Sequence, residues 1–425
     1  MDIWLLQTGE LLPLRDNVRI MRTGLLAEEL VSRGHKVTWW ASVFDHMSKS
    51  MLFKDDTDIK LNPNLVIKAL KGRPYNRNIS WRRYHDHAII AGKFRRLASR
   101  QPKPDLILSS MPDHQLAYES VIYAKRAAVP VVVDVRDEWP DTFLDFAPPI
   151  LRPFLKLALA RDFRMLHRIL SGADAILSMM NQLLEWGLER AGREATWKDR
   201  VFYLGARKEA GVRIESLSDE FRDKLEQLKD SFVVVFIGTF GKYNNPVIIA
   251  RAARSIWEKT RSKKIKFVIA GDGRFKPEVE TATIGLENMM KPGWLNQDEI
   301  SALLRVSSVG VIPSSEPRDE FPNKAFTYLS VGLPVISSAS GDLRQFIENP
   351  GIGLHYDPND VDGLVGCILK LYDSPELYDR LAKNAEQLFD QKLDSKIIYR
   401  EYADHLEHIA ASRLPAELNA GFRED

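Results

Sequence analysis

Short apolar runs recur along this chain, each followed by a stretch of helical spacing. In the first half they lie near Ile3–Gln7, Lys36–Ala41, Asp105–Ser110, Val129–Val135, Ala175–Ser178 and Val201–Leu204. In the second half they lie near Phe232–Gly238, Lys266–Ala270, Val309–Pro313 and Pro334–Ser338. Runs such as Val131–Val135 and Val233–Ile237 are apolar at almost every position. A strand with one wet face would alternate, so these strands are covered on both faces, as in parallel sheets. Strand–helix alternation through both halves predicts an α/β chain of two Rossmann-like domains with parallel sheets facing a central cleft. The stretch Gly205 to Asp230 is charged and poor in strand formers, which places the domain linker there. The first domain is expected over residues 1–205 and the second over residues 206–393. Residues 394–425 hold a last helical run, Asp394 to Ala411, expected to cross back to the first domain, and a polar tail.

Composition agrees with this and removes other classes. At 425 residues the chain exceeds what one core usually supports. A formal net charge of +2 gives no global drive toward nucleic acid. The only cysteine, Cys367, lies in an apolar helical run, so no disulfide framework forms within the chain. The apolar run Ile3–Leu6 is too short for a signal peptide, and no stretch is long enough to span a bilayer. The expectation is a cytoplasmic protein.

The segment with the most chemical content is Glu320 to Asp342. Pro322 and Asn323 open a helix and Gly332 closes it. Leu333 to Ser338 is a short strand, and Ser340-Gly341-Asp342 is a tight loop before the next helix. Two helix N-termini then point into one crevice at the ends of parallel strands, where open α/β sheets bind phosphorylated ligands. Lys324 adds a positive charge in the first turn. The other reading is an ordinary strand–helix unit with a surface lysine. Gly238, Gly241, Gly271, Gly273 and Gly341 all follow strands of the second half. They serve either close backbone approach to a diphosphate or plain turn chemistry. Lys324 and Arg274 supply counter-charge, so no metal and no cofactor is expected.

Four segments together resemble a known family. Arg19 to Thr38 is similar to the first helix and GHxVT turn of the GT-B glycosyltransferases called family 4. Val135-Arg-Asp-Glu-Trp-Pro140 resembles the RDLWP segment of a bacterial subgroup that makes surface polysaccharides. Ile237-Gly-Thr-Phe-Gly241 and Ile269-Ala-Gly-Asp-Gly-Arg274 resemble the first strand ends of the donor domain, and Phe321 to Val335 resembles the donor-site helix. They run in the family's order through nearly the whole chain.

The resemblance implies a glycosyltransferase that moves a sugar, with retention, from a nucleotide-diphosphate donor to a polysaccharide or lipid-linked acceptor. The second domain would hold the donor, as a co-substrate, and the first the acceptor. The family's donor helix carries two glutamates eight positions apart. Here Asp319 and Thr327 stand at those places, with Glu320 beside the first. Thr327 shares a helix face with Lys324, and its hydroxyl can bond a ribose or sugar hydroxyl. On the acceptor side the candidates are Gly9, Arg19, Arg22 and Arg136, the arginines facing either the cleft or solvent. Asp137 either orients or deprotonates an acceptor hydroxyl or pairs internally with Arg136. Two further readings stay open: a nucleotide-sugar epimerase of the same architecture, and a catalytically silent homologue acting as a binding subunit. Between Val66 and Pro104 stand eleven Lys or Arg and one acid, Asp86, with Tyr75, Trp81, Tyr84 and Phe94 interleaved. Leu151 to Leu170 is basic and amphipathic as well. Such faces suit an anionic membrane surface at the inner face. No nucleic-acid fold signature accompanies them, and no nucleic-acid partner is expected.

Overall fold

The valine-rich runs form strands at the centre of two sheets. The computed structural model describes residues 1–14, 18–145, 147–208, 217–241, 243–316 and 321–412. It divides into one unit of Met1–Tyr203 with Tyr399 onward, and a second of Leu204–Ile398. The boundaries read from sequence were 205/206 and 393/394. The expected linker, 205–230, contains residues 209–216, outside the described residues, and a helix, Asp219–Glu226, capped by Ser218.

In the first unit the strands are β1 (Asp2–Leu6), β2 (Lys36–Ser42), β3 (Phe44–Asp45), β4 (Ser50–Met51), β5 (Thr57–Asn62), β6 (Leu65–Leu70), β7 (Leu106–Ser110), β8 (Val131–Val135), β9 (Ala175–Ser178) and β10 (Arg200–Val201). The large sheet runs β10-β9-β8-β7-β1-β2-β6-β5, parallel except for the β5–β6 hairpin at its edge. β3 and β4 form a separate two-stranded ribbon. Helices cover both faces, as the apolar runs require. Trp4, Trp40 and Phe94 meet edge to face beneath one of them, with Trp40 and Phe94 centroids 5.0 Å apart.

In the second unit the strands are β11 (Phe232–Ile237), β12 (Ile265–Ala270), β13 (Met289–Gly293), β14 (Val309–Ile312), β15 (Val335–Ser337) and β16 (Gly353–His355). The order is β13-β12-β11-β14-β15-β16, and every pair is parallel. Each sheet has one point where the chain reverses its direction of travel: between β1 and β7, and between β11 and β14. In open α/β sheets such reversals are where ligands bind, beyond the carboxyl ends of the strands.

Four strands of these sheets had no counterpart in the sequence pattern: β5, β6, β13 and β16. The β5–β6 hairpin alternates polar and apolar residues around Asn62-Pro-Asn64, and β6 fell at the start of the stretch read for its charge. β13 contains Pro292, tolerated because the strand is at the sheet edge. The run Val201–Leu204 pairs only at Arg200–Val201. No helix among the described residues is long and apolar enough to cross a membrane.

Candidate functional site

The helix Asn323–Leu329 is seated by its own buried face. Tyr328 is fully buried, and its ring occupies the space over Gly310 of β14, where a Cβ would meet it at 2.2 Å. The Tyr328 hydroxyl accepts the backbone N–H of Ile237, at the end of β11, at 3.0 Å. The helix ends in a turn through Gly332, at φ 74°, as read from sequence. Lys324 is thereby placed at the reversal between β11 and β14. It is half-buried; its Nζ lies 4.4 Å over the Phe236 ring and donates to Asn244 Oδ1 at 2.6 Å. Asn244 is itself bridged to Gly241 and to Ser314, beyond β14. The lysine is thus not a loose surface residue but a positive charge aimed by three loops. A Cβ on Gly238 would come within 3.1 Å of its Nζ.

The other glycines divide by role. Gly238, Gly271 and Gly273 have φ of 152°, 138° and 147°, a region that favours glycine. A Cβ on Gly271 would meet Gly238 O at 1.9 Å, and one on Gly273 would meet Phe240 O at 2.5 Å. These two glycines let the loops after β11 and β12 lie against each other, so the turn-chemistry reading accounts for them. Gly241 has open space around its Cβ position. Gly341, at φ 66°, begins the helix Gly341–Glu348 after β15. Arg274 is exposed and makes no hydrogen bond among the described residues. Thr327 is half-buried, and its hydroxyl donates to Asn323 O of the preceding turn at 3.2 Å. Asp319 and Glu320 lie outside the described residues. Trp294, directly after β13, was not read from the sequence as a site residue. It is 74% exposed, and the residue before it, Gly293, accepts the Gly271 N–H at 2.8 Å. A tryptophan directly after a strand-end glycine was the available signal.

The first unit corrects several expectations. Arg22 does not face a cleft or solvent. It is buried and grips Asp134 with two bonds, Nε to Oδ2 at 2.9 Å and Nη2 to Oδ1 at 3.0 Å, and it also donates to Phe202 O at 2.6 Å. Arg136 turns the same way. It donates to Asp134 Oδ2 at 2.8 Å, to Glu10, and to the hydroxyls of Thr23 and Ser110. Arg136 therefore does not pair with Asp137, which removes that one of the two readings of Asp137. The cause is Asp134, whose side chain is fully buried in β8 and must be neutralised. Burial raises its carboxyl, but Arg22 and then Arg136 outweigh burial and bring it down to about 2. Asp137 instead accepts from Glu138 N at 2.8 Å and Thr142 Oγ1 at 3.0 Å, both through Oδ1. Arg19 is exposed.

Gly9 lines a pocket at the carboxyl ends of β1, β2 and β7 with Gln7, Thr8, Ser42, Tyr75, Arg83, Asp86, His87 and Asp113. Sequence reading missed this pocket, because its acids and histidine come from segments that carry no motif. Asp113 accepts from Thr8 Oγ1 at 3.1 Å and from Leu116 N at 3.0 Å. Arg83 lies 4.5 Å over the Trp139 ring, and its Nε donates to His87 Nε2 at 3.4 Å. That bond leaves the His87 proton on Nδ1, which has no hydrogen-bond partner among the described residues and stands 3.7 Å from Asp113 Oδ1. His87 is 3% exposed, so a buried donor faces a carboxylate across a gap.

Burial drives two neighbours in this pocket in opposite directions. Burial pushes the Asp86 carboxyl up to about 7, against a hydrogen bond from the Arg73 amide. Burial pushes the His87 imidazole down to about 4, opposed by Asp113 and aided by Arg83. A raised carboxyl stabilises the fold below its ordinary value of about 3.9 and loses that contribution as pH climbs through 7. A depressed imidazole stabilises above its ordinary value of about 6.5 and loses that contribution as pH falls through 4. Across the shared window the two slopes oppose each other. Asp86→Asn keeps the acceptor for the Arg73 amide and removes one slope. Its melting temperature is expected to drop more steeply than the wild type's on acidification through that window; superimposable curves would dismiss the opposition.

Two such parallel sheets, each with a strand-order reversal, are the architecture called GT-B. Comparison with known proteins agrees. Residues 218–388 match the family described as "Glycosyl transferases group 1". The alpha-D-kanosaminyltransferase of Streptomyces kanamyceticus is 22% identical over 280 residues, 64% of this chain and 69% of that protein. The O-antigen chain mannosyltransferase C of Escherichia coli is 28% identical over 169 residues, 39% of this chain and 43% of that protein. Among solved structures, sucrose-phosphate synthase from Thermosynechococcus elongatus aligns with a TM-score of 0.71 at 15% identity, over 97% of this chain and 99% of that one. Anabaena HepE in complex with UDP aligns with a TM-score of 0.65 at 15% identity, over 96% and 99%. Residues 218–388 thus match the group 1 glycosyltransferase family, and the chain has the fold of the GT-B structures.

Proposed function

We infer that the chain moves a sugar from a nucleoside-diphosphate donor to a hydroxyl of a glycan or lipid-linked acceptor. The observation that carries this is Lys324, a half-buried ammonium held by Asn244 over Phe236 at the β11/β14 reversal. A leaving diphosphate gains charge as the glycosidic C–O bond breaks, and a positive charge fixed in advance stabilises it without reorganisation. Arg274, exposed and unengaged, adds a second cation. Trp294 offers an aromatic face on which a nucleobase can stack. Solved relatives of this fold bind UDP and UDP-glucose, which supports a nucleotide-sugar donor here. Two cations at the diphosphate make a metal unnecessary in this reading, and retention follows from the resemblance to retaining enzymes. Added EDTA is expected to leave transfer intact; a strict requirement for Mg²⁺ or Mn²⁺ would refute the cationic account.

On the acceptor side, the pocket at β1, β2 and β7 offers donors and acceptors suited to sugar hydroxyls. Asp137 has Oδ1 occupied and Oδ2 without a hydrogen bond among the described residues, which suits it to take a proton from an acceptor hydroxyl. Asp137→Asn is expected to lower turnover and leave donor affinity unchanged. Peripheral contact with an anionic membrane, at the inner face of a cell, belongs to the same reading.

The testing experiment is a thermal-shift panel of UDP, GDP and their sugars. A ligand at about 100 times its Kd adds about 2.7 kcal/mol of apparent stability. One observation favours a second reading: the Thr327 hydroxyl is spent within its own helix rather than held out for a donor. If no nucleotide shifts the melting temperature, the chain is a silent binding subunit.

A further inference from the structure

The first unit exposes apolar side chains where a folded surface normally scatters them. Ile150, Leu151, Phe154 and Leu157 are 79, 51, 71 and 76% exposed. They stand on the short helix Arg152–Ala158 and the single turn Pro149–Leu151 that leads into it. Ile150 and Phe154 are four apart, and Phe154 and Leu157 three, so they share one outer face. Leu155 and Leu159 are half-buried and hold the other side down. A contiguous apolar set of this kind marks a contact surface.

The charge around it is one-sided. From Ala147 to Arg168 the cations are Arg152, Lys156, Arg161, Arg164 and Arg168, all exposed. The one acid in that span, Asp162, is buried and bonded to the Tyr84 hydroxyl at 2.9 Å and to His114 at 2.7 Å. The Tyr84 bond also ties in a second segment. Trp81, 80% exposed, stacks on Tyr84 with centroids 5.2 Å apart and planes 2° from parallel. Arg77, Ile79 and Arg82 beside it are exposed as well.

The earlier basic stretch contributes less than its composition implied. Lys68, Lys71 and Lys93 pair with Asp58, Asp55 and Asp56, and Arg83 is packed on Trp139. Around the apolar helix, by contrast, none of the five exposed cations pairs with an acid among the described residues. A second copy of the chain would set like charges against like in a two-fold contact. Apolar and aromatic groups ringed by cations fit the headgroup boundary of an anionic bilayer.

We propose that the face formed by Ile150, Leu151, Phe154 and Leu157 with Trp81 is the seat of an anionic lipid bilayer, the helix lying in the membrane plane. This rests on the reading of a membrane-peripheral transferase and gives that reading a location. The test is vesicle flotation with the full chain, using phosphatidylcholine alone and equal parts phosphatidylcholine and phosphatidylglycerol. The wild type floats with the mixed vesicles only, and less as salt is raised. The double variant Phe154→Ser, Leu157→Ser, whose charge is unchanged, stays in the soluble fraction, as does Arg161→Glu, Arg164→Glu. Both are expected to keep the wild-type melting temperature and its shift with nucleotide diphosphates. Unchanged flotation of the serine variant overturns the proposal, as does equal binding of the wild type to both vesicles. A wild-type dimer that the serine variant converts to monomer overturns it in favour of a second copy. A nucleotide shift without flotation removes the membrane face and leaves the transferase reading standing.

Discussion

Lys324→Ala is expected to abolish most sugar transfer while leaving the fold in place. A unit charge pair 4 Å apart is worth about 4 kcal/mol at the dielectric of a partly buried site. Removing one preorganised group that meets developing charge costs about 10²–10³ in kcat. Lys324 sits half-buried at a strand reversal with its ammonium already aimed by Asn244, so the loss should reach that range. Binding of the diphosphate product should weaken in parallel, because the charge is present in the product as well. The unfolding free energy should move by less than about 1 kcal/mol, since Lys324 is half-buried and lies outside the apolar core. Lys324→Arg should restore part of the binding but little turnover, because a planar fork does not reproduce a point charge held over a ring. A Lys324→Ala enzyme with wild-type kcat and wild-type affinity for UDP and GDP would take Lys324 out of the site.

The largest effect on stability is expected from Arg22→Met. Asp134 lies fully buried in β8 and is held ionised by Arg22 and Arg136. Removing one partner of a buried pair typically costs about 3–5 kcal/mol, because a charge is left without its counter-ion. Arg136 remains, which places the expected loss near the lower end. The Phe202 carbonyl loses its donor at the same time, while that of Ser178 keeps the Phe202 N–H. Seven of the nine tryptophans lie in the first unit, so fluorescence during denaturant unfolding reports chiefly on the affected part. The midpoint should fall for that transition, and Arg22→Met with Asp134→Leu should recover part of it. An unshifted midpoint would mean that the pair holds nothing.

The same residues show what a linear reading can reach. The parallel strands were legible because two-sided burial leaves an apolar run with no alternation. The Lys324 helix was legible because proline, asparagine and glycine punctuate it within ten residues. Arg22 and Arg136 were misjudged because their partners are remote: Asp134 is 112 residues from Arg22, and Glu10 is 126 from Arg136. An arginine on an amphipathic helix looks the same whether it meets water or a buried carboxylate. Three lysines of the basic stretch were read as free for a related reason. Its neutralising acids, Asp55, Asp56 and Asp58, sit just before the window on the strand and loop that fold back against it. Gly271 and Gly273 were correctly placed at strand ends, but loop-on-loop packing already requires them there. The pocket around His87 and Asp113 had no linear signature at all, since it joins β1, β2 and β7 with the helix Trp81–Ala98.

The first unit is built from both ends of the chain, and that sets an order of events during synthesis. Phe202 stacks on Tyr402 with centroids 4.4 Å apart, and the same Tyr402 ring lies 5.0 Å from the guanidinium carbon of Arg22. Arg33 and His35, near the start, reach Asp404 and Glu407 near the end. A nascent chain therefore has the whole Leu204–Ile398 unit outside the ribosome before the first unit can close. Until then the ion-paired centre around Asp134 lacks its aromatic cover. The unit made first is the one that matures last, and a release of the chain before residue 402 would leave an early intermediate with no route to completion.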